Sequence, residues 1–284
     1  MIDVRNLTFT YPKSSVPAVR DANFEVGRGK IFGFLGPSGA GKSTVQNIMI
    51  GLLPIQKGTV LYSGRRISEL GKQFFNRIGV SFEHPNLYEK LTGIENLKYY
   101  AGLFSVPTIE PGRLLKMVGL DEAANRRAGQ YSKGMKQRLV FARAIMNQPE
   151  ILFLDEPTAG LDPATARRIM NIIVSEKERG ATIFLTTHNM MVADELCDTI
   201  AFIDEGAIVT QDSPRNLKLQ YGQKALKVEY QNNGELESAL LFPEKADDRA
   251  RLNELIEAQK IETMHSQEAT LEEIFIRLTG RGLV

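Results

Sequence analysis

Apolar and polar residues alternate through residues 2–11 (IDVRNLTFTY), the pattern of a half-buried strand. Residues 22–29 predict a second strand, reached through the turn-like KSSVP. Short, largely apolar runs follow at 30–36, 78–83, 151–154 and 182–187. Short runs of this kind predict strands covered on both faces. A further short strand is expected at 59–63. Helical spacing of apolar positions predicts helices over 42–53, 163–179 and 190–197, and a largely helical stretch from 96 to 147. Residues 199–204 and 207–211 predict a hairpin across Glu205-Gly206. Strands alternating with helices imply a mostly parallel sheet with helices on both sides.

After Ser213-Pro214, a good helix-start pair, the pattern changes. Leu226, Val228 and Tyr230 alternate with charged residues, as in a half-exposed strand. Residues 244–259 predict a charged helix with Leu252, Leu255 and Ile256 on one face. Thr270 and Glu273 predict a capping box for a last helix, with Leu271, Ile274, Phe275 and Leu278 inward and Gly280 as its stop. Residues 215–284 therefore read as a small α+β appendage.

Composition narrows the picture. A chain of 284 residues with 43% apolar and 24% charged residues predicts packed globular domains rather than disorder. A net charge of +1 gives no electrostatic reason to expect a nucleic-acid partner. A single cysteine, Cys197, allows no internal disulfide and reads as a small buried residue. The longest apolar stretch, residues 48–55, is broken by Gly51 and Pro54 and falls short of a membrane span. If the protein works at a membrane, another polypeptide supplies the spanning helices.

Chemistry enters at residues 36–44, GPSGAGKST, between a predicted strand and a predicted helix. The pattern Gly36-x-x-x-x-Gly41-Lys42-Ser43 is that of a phosphate loop. Its backbone N–H groups would face phosphate oxygens, and the following helix adds its positive dipole end. Lys42 would reach the terminal phosphates of ATP, and the Ser43 hydroxyl would ligate Mg²⁺. The strand at 151–154 delivers Asp155 and Glu156, paired carboxylates that are costly at a buried strand end unless they meet a cation. Asp155 would hold the Mg²⁺ shell through water, and Glu156 would face the attacking water.

Residues 131–138, YSKGMKQR, lie just upstream of that strand. Alone, the run could be an ordinary Ser-capped helix start. In this order of motifs, residues 2–213 resemble the nucleotide-binding subunit of an ABC transporter. The resemblance implies a P-loop NTPase fold: an α/β ABC-type core with an antiparallel β subdomain and a helical insert. It divides the chain at 1–214, with a helical subdomain at about 84–148, and 215–284. It implies ATP contacts along Gly36, Pro37, Ser38, Gly39, Ala40, Gly41, Lys42, Ser43 and Thr44, with Tyr11 stacked on adenine. Tyr11 by itself reads equally well as a surface or core tyrosine. Ser132, Lys133, Gly134 and Met135 would serve ATP bound in a partner cassette, identical or not. His188 would contact the terminal phosphate, joining Glu156 and Lys42 as the catalytic set. Asp162, in AGLD, would link the two composite sites.

Some positions depart from the family's pattern. Glu83 stands where Gln is usual, so its role as a third Mg²⁺ ligand is implied less directly. Tyr131, Lys133 and Met135 replace a usual Leu, Gly and Gln. Pro85, Leu87 and Tyr88, rimmed by Glu83, Glu89 and Lys90, would form an apolar socket for a multi-span permease. The terminal LEEIFIRLTG and the variant signature look most like the exporter branch, acting at the cytoplasmic face of the membrane. Two other readings stay open: a soluble cassette that remodels a protein assembly, and a small-molecule kinase. The kinase leaves residues 131–138 and His188 unexplained.

Overall fold

The computed structural model describes residues 1–222, 225–232 and 234–282. The described chain divides into two compact units, Met1–Ser213 and Pro214–Gly282. Of the expected appendage, residues 223, 224, 233, 283 and 284 lie outside the described residues.

In the first unit, β1 (Ile2–Phe9) and β2 (Val19–Val26) pair antiparallel, and β1 also pairs with β4 (Lys57–Tyr62), which carries the short β5 (Arg65–Arg66). The strand expected at 22–29 lies three residues earlier, because Gly29 at φ 65 belongs to the turn that follows it. The main sheet has six strands in the order β10-β9-β3-β8-β7-β6. They are β3 (Ile31–Leu35), β6 (Ile78–Ser81), β7 (Ile151–Asp155), β8 (Thr182–Thr187), β9 (Thr199–Asp204) and β10 (Ala207–Asp212). All are parallel to their neighbours except β10. β3, β7 and β8 are buried along their whole length, as their apolar runs require. The β9–β10 hairpin turns through Glu205 (φ 46) and Gly206 (φ 81), two left-handed residues that match the strands' twist.

The helices are α1 (Lys42–Met49), α2 (Gly93–Ala101), α3 (Pro111–Met117), α4 (Lys133–Ile145), α5 (Pro163–Glu178) and α6 (Met190–Leu196). The stretch 96–147 is thus three helices, not continuous helix; a single 3₁₀ turn, Ala128–Gln130, interrupts the loop before α4. α1 stops short of residue 53 because Gly51 turns left-handed at φ 79. Cys197 is buried beside β3, as its sequence setting predicts.

An aromatic cluster joins the two sheets. Phe24 of β2 lies 5.2 Å from Phe32 and 5.4 Å from Phe34 of β3, and 5.9 Å from Phe184 of β8, measured between ring centroids. Phe32, Phe34 and Phe184 are fully buried.

The second unit holds α7 (Pro214–Tyr221), a three-stranded sheet, α8 (Ala246–Glu257) and α9 (Leu271–Thr279). Its sheet runs β12-β11-β13, from β11 (Ala225–Asn232), β12 (Glu235–Leu241) and β13 (Ile261–Gln267). The two outer strands carry no clear apolar alternation, so the sequence pattern predicted only β11. Val228, Tyr230, Leu241 and Leu255 form the core; Ile256, expected to face inward, is half exposed. The capping box of α9 and its Gly280 stop are both present.

Phe184→Ala removes the ring at the centre of the aromatic cluster. It should lower unfolding stability by about 3–5 kcal/mol. Urea denaturation of the full chain checks this.

Candidate active site

The loop between β3 and α1 is shaped by what presses on it. Gly41 sits at φ 108, and a Cβ there would collide with the carbonyl oxygen of Ala18. Ala40 accepts a hydrogen bond from Gly206 N at 3.0 Å, so the β9–β10 turn braces the loop. Helix α1 has no side-chain cap and no acidic residue in its first turn. Its first amides are therefore open to an anion. Ser38, Gly39 and Ser43 are the exposed residues of the loop. Lys42 is buried and donates to the carbonyls of Gly36 at 2.7 Å and Pro37 at 2.9 Å. Burial pulls its ammonium below the ordinary lysine value, while Glu156, Asp155 and Glu83 pull the other way.

β7 delivers Asp155 and Glu156 beside this loop, both buried. Asp155 accepts from the Thr186 hydroxyl and is hydrogen-bonded to Ser43. Burial nevertheless lifts its carboxyl above the usual carboxylate range, with Glu156 and Glu83 adding to the lift. Glu156 holds a left-handed backbone at φ 47, a strained geometry for a residue with a side chain. Its carboxylate accepts from the Thr187 hydroxyl at 2.9 Å and from the His188 backbone N–H at 2.8 Å. The His188 ring meets it as well, Nδ1 lying 2.7 Å from Oε1. Glu156 and His188 are thus a hydrogen-bonded pair at the carboxyl ends of adjacent strands.

Ser43 and Asp155 bring hard oxygen donors together, the kind that suit Mg²⁺. No group of three or more His, Cys, Asp or Glu arranged for a metal occurs among the described residues. That fits an ion completed largely by phosphate and water. Tyr11 is partly exposed, and its hydroxyl lies 3.0 Å from Thr44 Oγ1 at the loop's end.

The remaining candidates lie around the starts of α4 and α5. Ser132 caps α4, its Oγ accepting from Met135 N at 3.2 Å. That bond leaves the hydroxyl's own proton free to be donated. Tyr131 is buried, and its hydroxyl donates to the Ala123 carbonyl at 2.7 Å. A Cβ on Gly93, the first residue of α2, would collide with that hydroxyl. Gly134 packs against Gly160 and Leu161, and Lys133 lies along Gly160. Asp162 caps α5 by accepting from Thr165 N at 3.0 Å.

Residues of the expected socket make contacts within the chain. Tyr88 packs on Tyr99 and Tyr100, and Glu89 is ion-paired to Lys136 of α4 at 2.7 Å. Pro85, Leu87 and Tyr88 do not line the nearby groove. That groove, about 380 Å³, is lined by Phe75, Val80, Phe82, Tyr100 and Leu103, among others. Buried Arg143 stacks on Tyr100 and donates to Asn86, which fixes one wall.

The sequence of the first unit matches the family model described as ABC transporter over residues 19–159. Fluoroquinolones export ATP-binding protein of Mycobacterium tuberculosis is 51% identical over 284 residues, covering 100% of this chain and 94% of that protein. The chain belongs to the ABC transporter family. A lantibiotic transport ATP-binding protein of Streptococcus pyogenes is 36% identical over 80% of this chain and 98% of its own length. A Nod factor export ATP-binding protein of Burkholderia thailandensis is 33% identical over 92% of this chain and 91% of its own. The solved structure of an ATP-binding subunit of an ABC transporter superimposes with TM-score 0.70, at 28% identity over 78% of this chain and 93% of that one. A dimeric ATP-binding cassette in a post-hydrolysis state, bound to ADP and Pi, gives TM-score 0.67 at 28% identity, over 75% and 98% of the two chains. The α/β cassette core with an antiparallel sheet and inserted helices is therefore the fold of this family's nucleotide-binding domains.

Reading by sequence missed the two threonines of β8. Thr186 and Thr187 hold the carboxylates of the neighbouring strand. Two hydroxyls at the end of a buried apolar strand were the available signal.

A carboxyl whose folded-state value lies above its unfolded one weakens the fold as pH rises past its unfolded value. Asp155→Asn should therefore raise the melting temperature of the nucleotide-free protein at pH 7. Differential scanning calorimetry checks it; a lower melting point would contradict the burial argument.

Proposed function

We propose that this protein is the ATP-hydrolysing subunit of an exporter, working as a dimer of cassettes against a separate multi-span permease. The observation that carries it is the Glu156–His188 pair beside the braced phosphate loop, with Lys42 buried in its turn. Gly36, Pro37, Ser38, Gly39, Ala40, Gly41, Ser43 and Thr44 would hold the phosphates, and Tyr11 the adenine. Mg²⁺ would sit against Ser43 and Asp155, with Glu83 near, and would offset negative charge on the phosphates. Glu156 would orient and deprotonate the attacking water, and His188 would hold that carboxylate in place while facing the terminal phosphate.

The described contacts of Ser132, Lys133, Gly134 and Met135 lie within α4 and with Gly160 and Leu161, and none is with the phosphate loop of their own chain. In a head-to-tail dimer they would close the partner's site, with Asp162 between the two. The dimeric cassette among the structural relatives supports this arrangement. The names of three relatives, each an export or transport ATP-binding protein, support export as the work done. No described helix is long and apolar enough to cross a membrane. A permease would then meet the groove at Phe75, Phe82 and Leu103 at the cytoplasmic face.

Glu156→Gln should cut steady-state ATP hydrolysis by about 10²-fold or more while ATP and Mg²⁺ drive the variant into a stable dimer. Phosphate release and size-exclusion chromatography read the two effects. Hydrolysis at the wild-type rate would remove Glu156 from the mechanism.

Phe75→Asp with Leu103→Asp should weaken co-purification with the membrane subunit at least about tenfold and leave nucleotide affinity unchanged. Undiminished co-purification would place the permease elsewhere.

A further inference from the structure

The second unit carries a cavity of its own. One face of its sheet is packed: Val228 and Tyr230 of β11 meet Leu241 of β12 and Leu255 of α8. Alternate residues belong to the other face, where Lys227 pairs with Leu240 of β12 and His265 of β13. At the end of that second face, where Ala225 pairs with Gln267, a cavity of about 310 Å³ opens. Ala225 and Leu240 line it from the sheet, Phe242 from just past β12, and Ile274 from α9. Ala225 and Ile274 are buried, so the cavity has a firm apolar floor. Its volume is at the lower end of the range for small-molecule pockets.

Opposite charges line this cavity without meeting. Arg277 lies one turn along α9 from Ile274 and donates from Nη1 to the Tyr221 carbonyl at 2.8 Å. That bond steadies the guanidinium, and its other N–H groups have no partner among the described residues. Glu268, in the link between β13 and α9, has no cationic partner among the described residues. The other carboxylate of the lining, Glu273, is engaged in the capping box of α9, accepting from Thr270 N at 2.8 Å. Apolar walls with a few convergent polar groups are the form of a small-molecule site. A guest of one sign would be drawn by one of these two charges and repelled by the other. A guest bearing both signs meets each with its opposite.

We propose that the second unit binds a small amphoteric ring compound, its apolar body against Leu240, Phe242 and Ile274, its acid group on Arg277 and its basic amine on Glu268. The site lies within residues 221–277 and is independent of the nucleotide-site reading. The probe is 6-(aminomethyl)-2-naphthoic acid, whose amine and carboxylate stand at opposite ends of a flat apolar body. The chain has no tryptophan, so the naphthalene fluorescence reports binding directly. Titrations of the full-length, nucleotide-free protein compare this probe with 2-naphthoic acid and with 2-naphthylmethylamine. The amphoteric probe should bind at least about tenfold more tightly than either, because it alone makes both charge-assisted contacts. Arg277→Gln should erase its advantage over the amine, and Glu268→Gln its advantage over the acid. Both positions are exposed, so these exchanges leave the core untouched. Arg277→Lys, which keeps the charge, should retain most of the preference and guards against a merely structural effect. Absence of saturable binding, equal affinity for the three compounds, or an unchanged preference in both neutral variants overturns the proposal.

Discussion

The whole site depends on the register of three parallel strands. β7 lies between β6 and β8, with Leu154 beside Ser81 on one side and Leu185 on the other. That alignment brings Asp155 against Thr186 and Glu156 against Thr187 and His188. A slip of one residue would turn every side chain of β7 to the opposite face of the sheet. Continuous apolar runs make such a slip tolerable to the core, so the polar strand ends carry much of the alignment's specificity. The hydroxyl–carboxylate bonds are then as much a part of the fold as of the chemistry.

The same strand ends are where the molecule works against its own stability. Asp155 is buried enough to be lifted above its ordinary range, Lys42 is pulled down by burial, and Glu156 carries a left-handed backbone. Buried charges and backbone strain of this sort persist where surrounding structure holds them. Here the surroundings are the Phe24, Phe32, Phe34 and Phe184 cluster and the clamp of Ala18 and Gly206 on the phosphate loop. Packing in the sheets supports unfavourable electrostatics at their edge, and a ligand of opposite charge would relieve it.

Most of the first unit was legible because its strands are strongly patterned. Runs such as ILFLD and TIFLTT have few other homes than a covered parallel sheet. The phosphate loop and the Asp-Glu pair were legible for a related reason, since glycine spacing and paired acids are rare outside such sites. Three things were not. β12 and β13 are outer strands whose faces are largely exposed, so they leave no alternation to read. The groove draws Phe75, Phe82 and Leu103 from segments far apart in sequence, whereas the neighbouring run with Pro85 and Leu87 looked more apolar locally. The roles of Thr186 and Thr187 needed the strand order, which no local pattern contains.

The buried Tyr131 hydroxyl has a consequence for descent. Its bond to Ala123 occupies the space that a methyl group on Gly93 would need. Residues 93 and 131 are thirty-eight positions apart in the chain, yet position 93 cannot gain a side chain while Tyr131 stays in place. A lineage that exchanges Tyr131 for leucine loses the hydroxyl and releases position 93 to alanine. One that gains the side chain at position 93 first must give up the tyrosine. The order of substitutions is therefore constrained, and a history of this signature should show the aromatic ring arriving only after the glycine.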